Sequence, residues 1–317
     1  MLRAGAPVMK ILVPVVLAVA CAQPVLGCDF CAIYAASEAR GEIGKGFFAG
    51  VAEQFTHFGT LQDNGREISN PENQYLDSSI TQVLLGYNFS DRFGLQLNVP
   101  VIYRSFRRIL NNQVDQSSEG GPGDVSLIGN FQAYRHSTVD YTFAWNILAG
   151  VKFPTGSTSY LREVAQGQDS VIGGHDLTLG TGSYDGMVGT GFFARWKRVF
   201  AGASTQYAIR SRGDFGYQFA DELTWSGGPG ALLVLNDNYT VALQLNVSGE
   251  TKGCDNFRGE KESDTGMTAI YLGPQLMVTL GEKFSAQIGI DLPVLLNNTD
   301  VQAVPDYRVH AAVTWHF

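Results

Sequence analysis

Tyr307-Arg308-Val309-His310-Ala311-Ala312-Val313-Thr314-Trp315-His316-Phe317 closes the chain, and the two faces of this stretch decide the fold. Tyr307, Val309, Ala311, Val313, Trp315 and Phe317 fall on one side, and Arg308, His310, Ala312, Thr314 and His316 on the other. A two-residue period marks a strand, whose successive side chains point to opposite faces. An apolar, aromatic face that runs to the last residue is a poor finish for a soluble sheet. It suits a strand whose outer face meets lipid.

Upstream, the same rhythm repeats. Strand candidates lie at 46–58, 79–89, 93–106, 124–135, 141–154, 177–196, 199–210, 219–235, 239–250, 267–280, 284–296 and 306–317, twelve in all. Short turns at 90–92, 136–140, 197–198, 236–238 and 281–283 alternate with mostly longer loops at 59–78, 107–123, 155–176, 211–218, 251–266 and 297–305. Short turns at one end and long loops at the other are the layout of a transmembrane barrel, and an even strand count returns the C-terminus to the short-turn side. Aromatics open the strands that leave the short turns: Phe93, Tyr141, Phe200, Tyr239 and Phe284. Rings at that level form a girdle at the headgroup boundary. The expectation is an all-β, antiparallel transmembrane β-barrel of about twelve strands over 46–317 in a bacterial (Gram-negative) outer membrane, its short turns periplasmic.

Facing follows from the alternation. Phe93, Leu95, Leu97, Val99, Val101 and Tyr103 should face lipid, and Gly94, Gln96, Asn98, Pro100 and Arg104 the lumen. The apolar set takes the lipid side because a charge at mid-bilayer costs several kcal/mol.

Composition agrees. A charged fraction of only 16% beside 19 Phe and 13 Tyr describes an aromatic, strand-rich chain. A mean hydropathy of −0.02 fits a barrel, where lipid-facing and lumen-facing residues average out. Arg3 and Lys10 precede an apolar run over 11–20, and Ala20-Cys21-Ala22 offers a small-x-small cleavage site. The run is too short for a bilayer-spanning helix, which needs about 20 residues. Removing an export signal over 1–27 takes the formal charge from −8 to −10, since Arg3 and Lys10 are its only charges. So acidic a chain argues against nucleic acid as a partner.

Two motifs carry a family resemblance: Gly121-Pro122-Gly123-Asp124-Val125 opening one strand, and Gly150-Val151-Lys152-Phe153-Pro154-Thr155-Gly156 closing the next. With the leader and the aromatic C-terminus, they make the chain resemble the outer-membrane channel family of the meta-cleavage pathway of phenol degradation. The resemblance implies a barrel that moves small, often hydrophobic or aromatic solutes across the outer membrane; the barrel is expected to be a monomer. Trp315 and Phe317 likewise resemble the C-terminal signal that the barrel assembly machinery reads. The chain departs from the family pattern at Cys28-Asp29-Phe30-Cys31 and in its long third loop.

Candidate site residues are few. Lumen charges that could set selectivity are Glu53, Glu250 and Asp291 against Arg104, Lys152, Arg210 and Arg308. A barrel of about twelve strands lies between the filled interior of small barrels and the open pore of large ones, so these charges could line a path or close it with salt bridges. In the periplasmic segment 28–45, Cys28 and Cys31 read as a local disulfide in an oxidising compartment, with lipidation of Cys28 as the alternative. Ala32 stands where haem attachment needs His, and no further ligands complete a zinc site, so no cofactor or metal is expected. His175-Asp176 has no serine spaced beside it, and no phosphate loop or HExxH helix occurs, so no catalytic residues are assigned. The leading function is a channel for small solutes. The alternatives are a structural barrel whose cysteines tether a periplasmic redox partner, and an outer-membrane hydrolase.

Overall fold

The computed structural model describes residues 45–168, 170–236, 238–281 and 283–317. The expected export signal over 1–27 and the Cys28/Cys31 segment lie outside the described residues. Twelve antiparallel strands form the wall: β1 (Gly46–Asp63), β2 (Tyr75–Asn88), β3 (Phe93–Leu110), β4 (Ser126–Ser137), β5 (Tyr141–Lys152), β6 (Asp185–Trp196), β7 (Val199–Ile209), β8 (Glu222–Leu235), β9 (Tyr239–Lys252), β10 (Met267–Leu280), β11 (Phe284–Asn298) and β12 (Val301–His316). Each pairs with its chain neighbour, and β12 returns to β1 to close the barrel. That seam runs from Phe48 opposite His316 to Asp63 opposite Val301, and the amide of Gly59 donates to Asp306 across it at 2.8 Å.

Alternation places the side chains as the residue types require. In β3, Asn98, Ile102, Arg104 and Phe106 are buried in the interior while Phe93, Leu97, Val101 and Tyr103 are exposed on the outside. The last strand turns Arg308, His310, Ala312 and Thr314 inward. Trp315 lies outside against Phe284, ring centroids 5.5 Å apart, and Phe317 is exposed while its amide donates to the Phe47 carbonyl at 2.9 Å.

The long-loop end is more ordered than the pattern implies. Asn64-Gly65 and Asn111-Asn112 take positive φ at both positions, the geometry of tight hairpin turns whose twist matches the flanking strands. They extend the wall outward: Arg66–Ile68 folds back on β1, and Gln113–Pro122 pairs with the upper half of β3. β6 begins at Asp185 rather than 177, because the third loop turns into the barrel before the strand starts. The loop carries two short helices, α1 (Leu161–Ala165) and α2 (Gly174–Leu177).

Candidate functional site

Towards the short-turn end the lumen is lined by neutral amides. Gln132, Asn146, Gln244, Gln275 and Gln287 point inward and are buried, and Gln275 Nε2 donates to Gln287 Oε1 at 2.9 Å. An apolar knot of Phe193, Phe200, Leu232 and Met277 narrows this end. Towards the long-loop end the lining becomes charged, with alternating signs. Lys152 sits between Asp124 (2.7 Å) and Asp185 (2.8 Å). Arg210 reaches Asp185 at 3.2 Å and Glu222 at 3.0 Å. Arg308 pairs with Glu250 at 3.3 Å, its guanidinium 4.0 Å above the Tyr271 ring. Lys152 and Arg210 thus interlock through the Asp185 carboxylate that both hold, and such a shared partner offsets part of the cost of burying the charges.

The two glycine motifs meet in this belt. Asp124 accepts from the Gly156 amide (2.9 Å) and the Thr181 amide (2.8 Å) as well as from Lys152, while Thr155 Oγ1 donates to the Gly123 carbonyl at 2.8 Å. A Cβ on Gly156 would stand 2.5 Å from the Leu179 carbonyl oxygen, so only glycine lets the loop pass so close. The motifs thus form a rim clamp that holds the third loop as it turns inward.

That loop caps the lumen. Ile172 and Leu177 are fully buried against Leu76 and Phe106, which project inward from β2 and β3. Arg108, also fully buried, holds Glu163 of α1 through two bonds of 2.8 and 2.9 Å and Asp115 through a third of 2.9 Å. Arg104 donates to the carbonyls of Asp176 and Thr178. His175 stacks on Tyr217 of the next loop, centroids 6.4 Å apart. Burial, and then Asp255 bonded to its hydroxyl at 2.7 Å, pushes the Tyr217 phenol well above its ordinary pKa, so it acts only as a neutral donor. Beneath the loop lies a cavity of about 350 Å³.

Five of the seven sequence-assigned lumen charges line that cavity: Arg104, Lys152, Arg210, Glu250 and Arg308. Asp291 faces the interior elsewhere, beside His310 at 3.5 Å. Glu53 is the correction. It shares the outward parity of Val51 and Phe55, alternating with the buried Ala52, Gln54 and Thr56, and its carboxylate accepts from the outward Thr81 hydroxyl at 2.5 Å. A local hydrogen bond makes a lipid-side carboxylate tolerable where none was expected. Two pleat repeats further along that outer face, His57 bonds Asp77 at 2.6 Å and stacks on Tyr75 and Tyr307. The nearby Thr60 hydroxyl donates to Asp306 at 2.6 Å. Cys254 forms no disulfide among the described residues, and its sulfur lies 3.8 Å from the Thr299 hydroxyl.

Sequence reasoning missed Asp124, Asp185, Glu222, Lys252 and Asp255. Asp124 was within reach, standing inside a recognised motif. The others sit at strand ends or in loops, where alternation no longer assigns a face.

No protein-family model matches the sequence, and no curated protein matches it. Among solved structures the chain is similar to an outer-membrane channel from Pseudomonas putida F1, with a TM-score of 0.56, 13% identity, and 92% of this chain and 100% of that one covered. Weaker likenesses include the β domain of the Bordetella autotransporter BrkA (TM-score 0.43, 10% identity, 87% and 100% covered). Another is a Pseudomonas aeruginosa FadL homologue (TM-score 0.35, 10% identity, 90% and 94% covered). At such identities the first likeness speaks to the fold alone. The fold is a closed, twelve-stranded barrel of the outer-membrane type.

Proposed function

We propose that the protein is a monomeric outer-membrane channel that admits small solutes with a substantial apolar part, received beneath the third loop and passed to the amide-lined lumen. One observation carries this reading: the cavity under the loop is apolar on one side and ionic on the other. Phe58, Leu76, Ile80 and Ile102 line it from β1 to β3, joined by Ile172 and Leu179 of the loop. A concave site with a broad apolar wall and a few convergent polar groups is what a small ligand needs. The resemblance through the two glycine motifs points the same way, and so does the likeness to the P. putida channel.

Reconstitution tests it. Protein purified in detergent and inserted into planar bilayers should give unitary current steps, and liposomes carrying it should take up benzyl alcohol faster than empty ones. Insertion without conductance and without added uptake refutes the channel.

A further inference from the structure

Five cationic and five acidic side chains line the cavity, and one cation differs from the rest. Arg104 is spent on loop carbonyls, Lys152 on Asp124 and Asp185, Arg210 on Asp185 and Glu222, and Arg308 on Glu250. Lys252 makes no hydrogen bond or ion pair with any described residue, although four carboxylates lie near enough to act on its charge.

The reason is competition. Glu222 stands directly opposite Lys252 across the β8–β9 pair, yet gives its carboxylate to Arg210. Glu250, two residues back on the same face, is held by Arg308 and by the Tyr271 hydroxyl at 3.0 Å. Asp255 accepts from the Tyr217 hydroxyl and from the Ala220 amide at 2.8 Å. Asp176, the fourth, accepts from the Gly173 amide at 2.9 Å, so a cationic solute would have to compete for a carboxylate already held. An anionic one would find an ammonium with its donors uncommitted.

Placement adds the second half. Lys252 ends β9, while Leu76, Ile80 and Ile102 project from β2 and β3, half-way round the closed strand order. Lys252 and the apolar wall therefore line the cavity from opposite sides of the barrel. From this we propose that the cavity selects small amphipathic monoanions, with a carboxylate taken by Lys252 and the apolar body laid against the β2–β3 wall. The inference rests on the cavity being the solute site proposed above, and it adds the charge class that site accepts.

Three probes share one body and differ in head group: benzoate, benzyl alcohol and benzylamine. Equilibrium dialysis against the full-length protein in detergent should show saturable benzoate binding, stronger than that of the other two. Lys252→Met should weaken benzoate by about tenfold or more, the loss of one charge-assisted bond, and leave benzyl alcohol unchanged; Lys252→Arg should restore benzoate. Equal benzoate binding by wild type and Lys252→Met overturns the proposal, as does a wild-type preference for benzylamine or no saturable benzoate binding. If Lys252→Met does not give a heat-modifiable barrel, the wild-type preference of benzoate over benzyl alcohol decides alone. Protein that binds benzoate but carries no current refutes the channel and leaves this site standing. Protein that conducts with no head-group preference overturns this inference only.

Discussion

Arg108→Met should release the third loop. The wild-type guanidinium is almost fully buried and holds Glu163 through two bonds and Asp115 through one. Removing one partner of a buried ion pair costs about 3–5 kcal/mol, because the group left behind is stranded. Here the stranded carboxylates keep partial access to water, 19% of the Glu163 side chain and 34% of the Asp115 side chain, so the low end applies. About 3 kcal/mol multiplies the released-to-seated ratio by roughly a hundred. Ile172 and Leu177 remain as hydrophobic anchors, so the loop loosens without the barrel unfolding. Trypsin reads the change, since Arg162 in α1 is exposed but held in a seated helix, and cleavage of a briefly opened segment tracks its open population. Nicking after Arg162 should accelerate by about two orders of magnitude, and unitary conductance should rise. A folded, heat-modifiable variant whose nicking changes by less than about threefold would show that Arg108 does not seat the loop.

Leu97→Arg should cost about 2–4 kcal/mol of folding stability in lipid by placing charge in hydrocarbon, while Gln96→Arg on the other side of the same wall should fold normally; equal heat-modifiable mobility of the two contradicts the facing. Glu53→Leu should raise the free energy of unfolding from lipid vesicles by about 1–2 kcal/mol, read as a higher denaturant midpoint, because it removes a carboxylate from the outer wall; a lowered midpoint means that the Thr81 bond matters more than the burial. Deleting Phe317 should leave protein in the periplasm or degraded although the side chain is worth only about 2 kcal/mol of burial; normal outer-membrane levels of the truncated chain argue against an assembly role.

The barrel was legible because its signals are local. Alternation, short turns and flanking aromatics need only a few neighbouring residues, and every wall strand they indicated is present. Asn64-Gly65 and Asn111-Asn112 were readable hairpin signals inside stretches taken for loops. Glu53 was misassigned by letting its charge outweigh the parity of Val51 and Phe55, an inference that holds at the bilayer centre and weakens where a hydroxyl partner is at hand. The loop in the lumen was not legible. Ile172 and Leu177 follow neither strand nor helix spacing, and what buries them is Leu76 and Phe106, far away in sequence. Nor could spacing reveal that Glu222 prefers Arg210 to the lysine facing it, since that choice depends on three strand ends converging.

The seam between β1 and β12 has a temporal consequence. Gly59 and Asp306, bonded across it, stand 247 residues apart in the chain. The first strand finds its second neighbour only in the last, so the wall keeps two open edges until β12 is in place. Contacts so distant in sequence make folding slow, and an unpaired strand edge invites association with other chains. Closure therefore waits on Val301–His316, and a chain truncated before that strand would be left as an open sheet with two unpaired edges rather than as a smaller barrel.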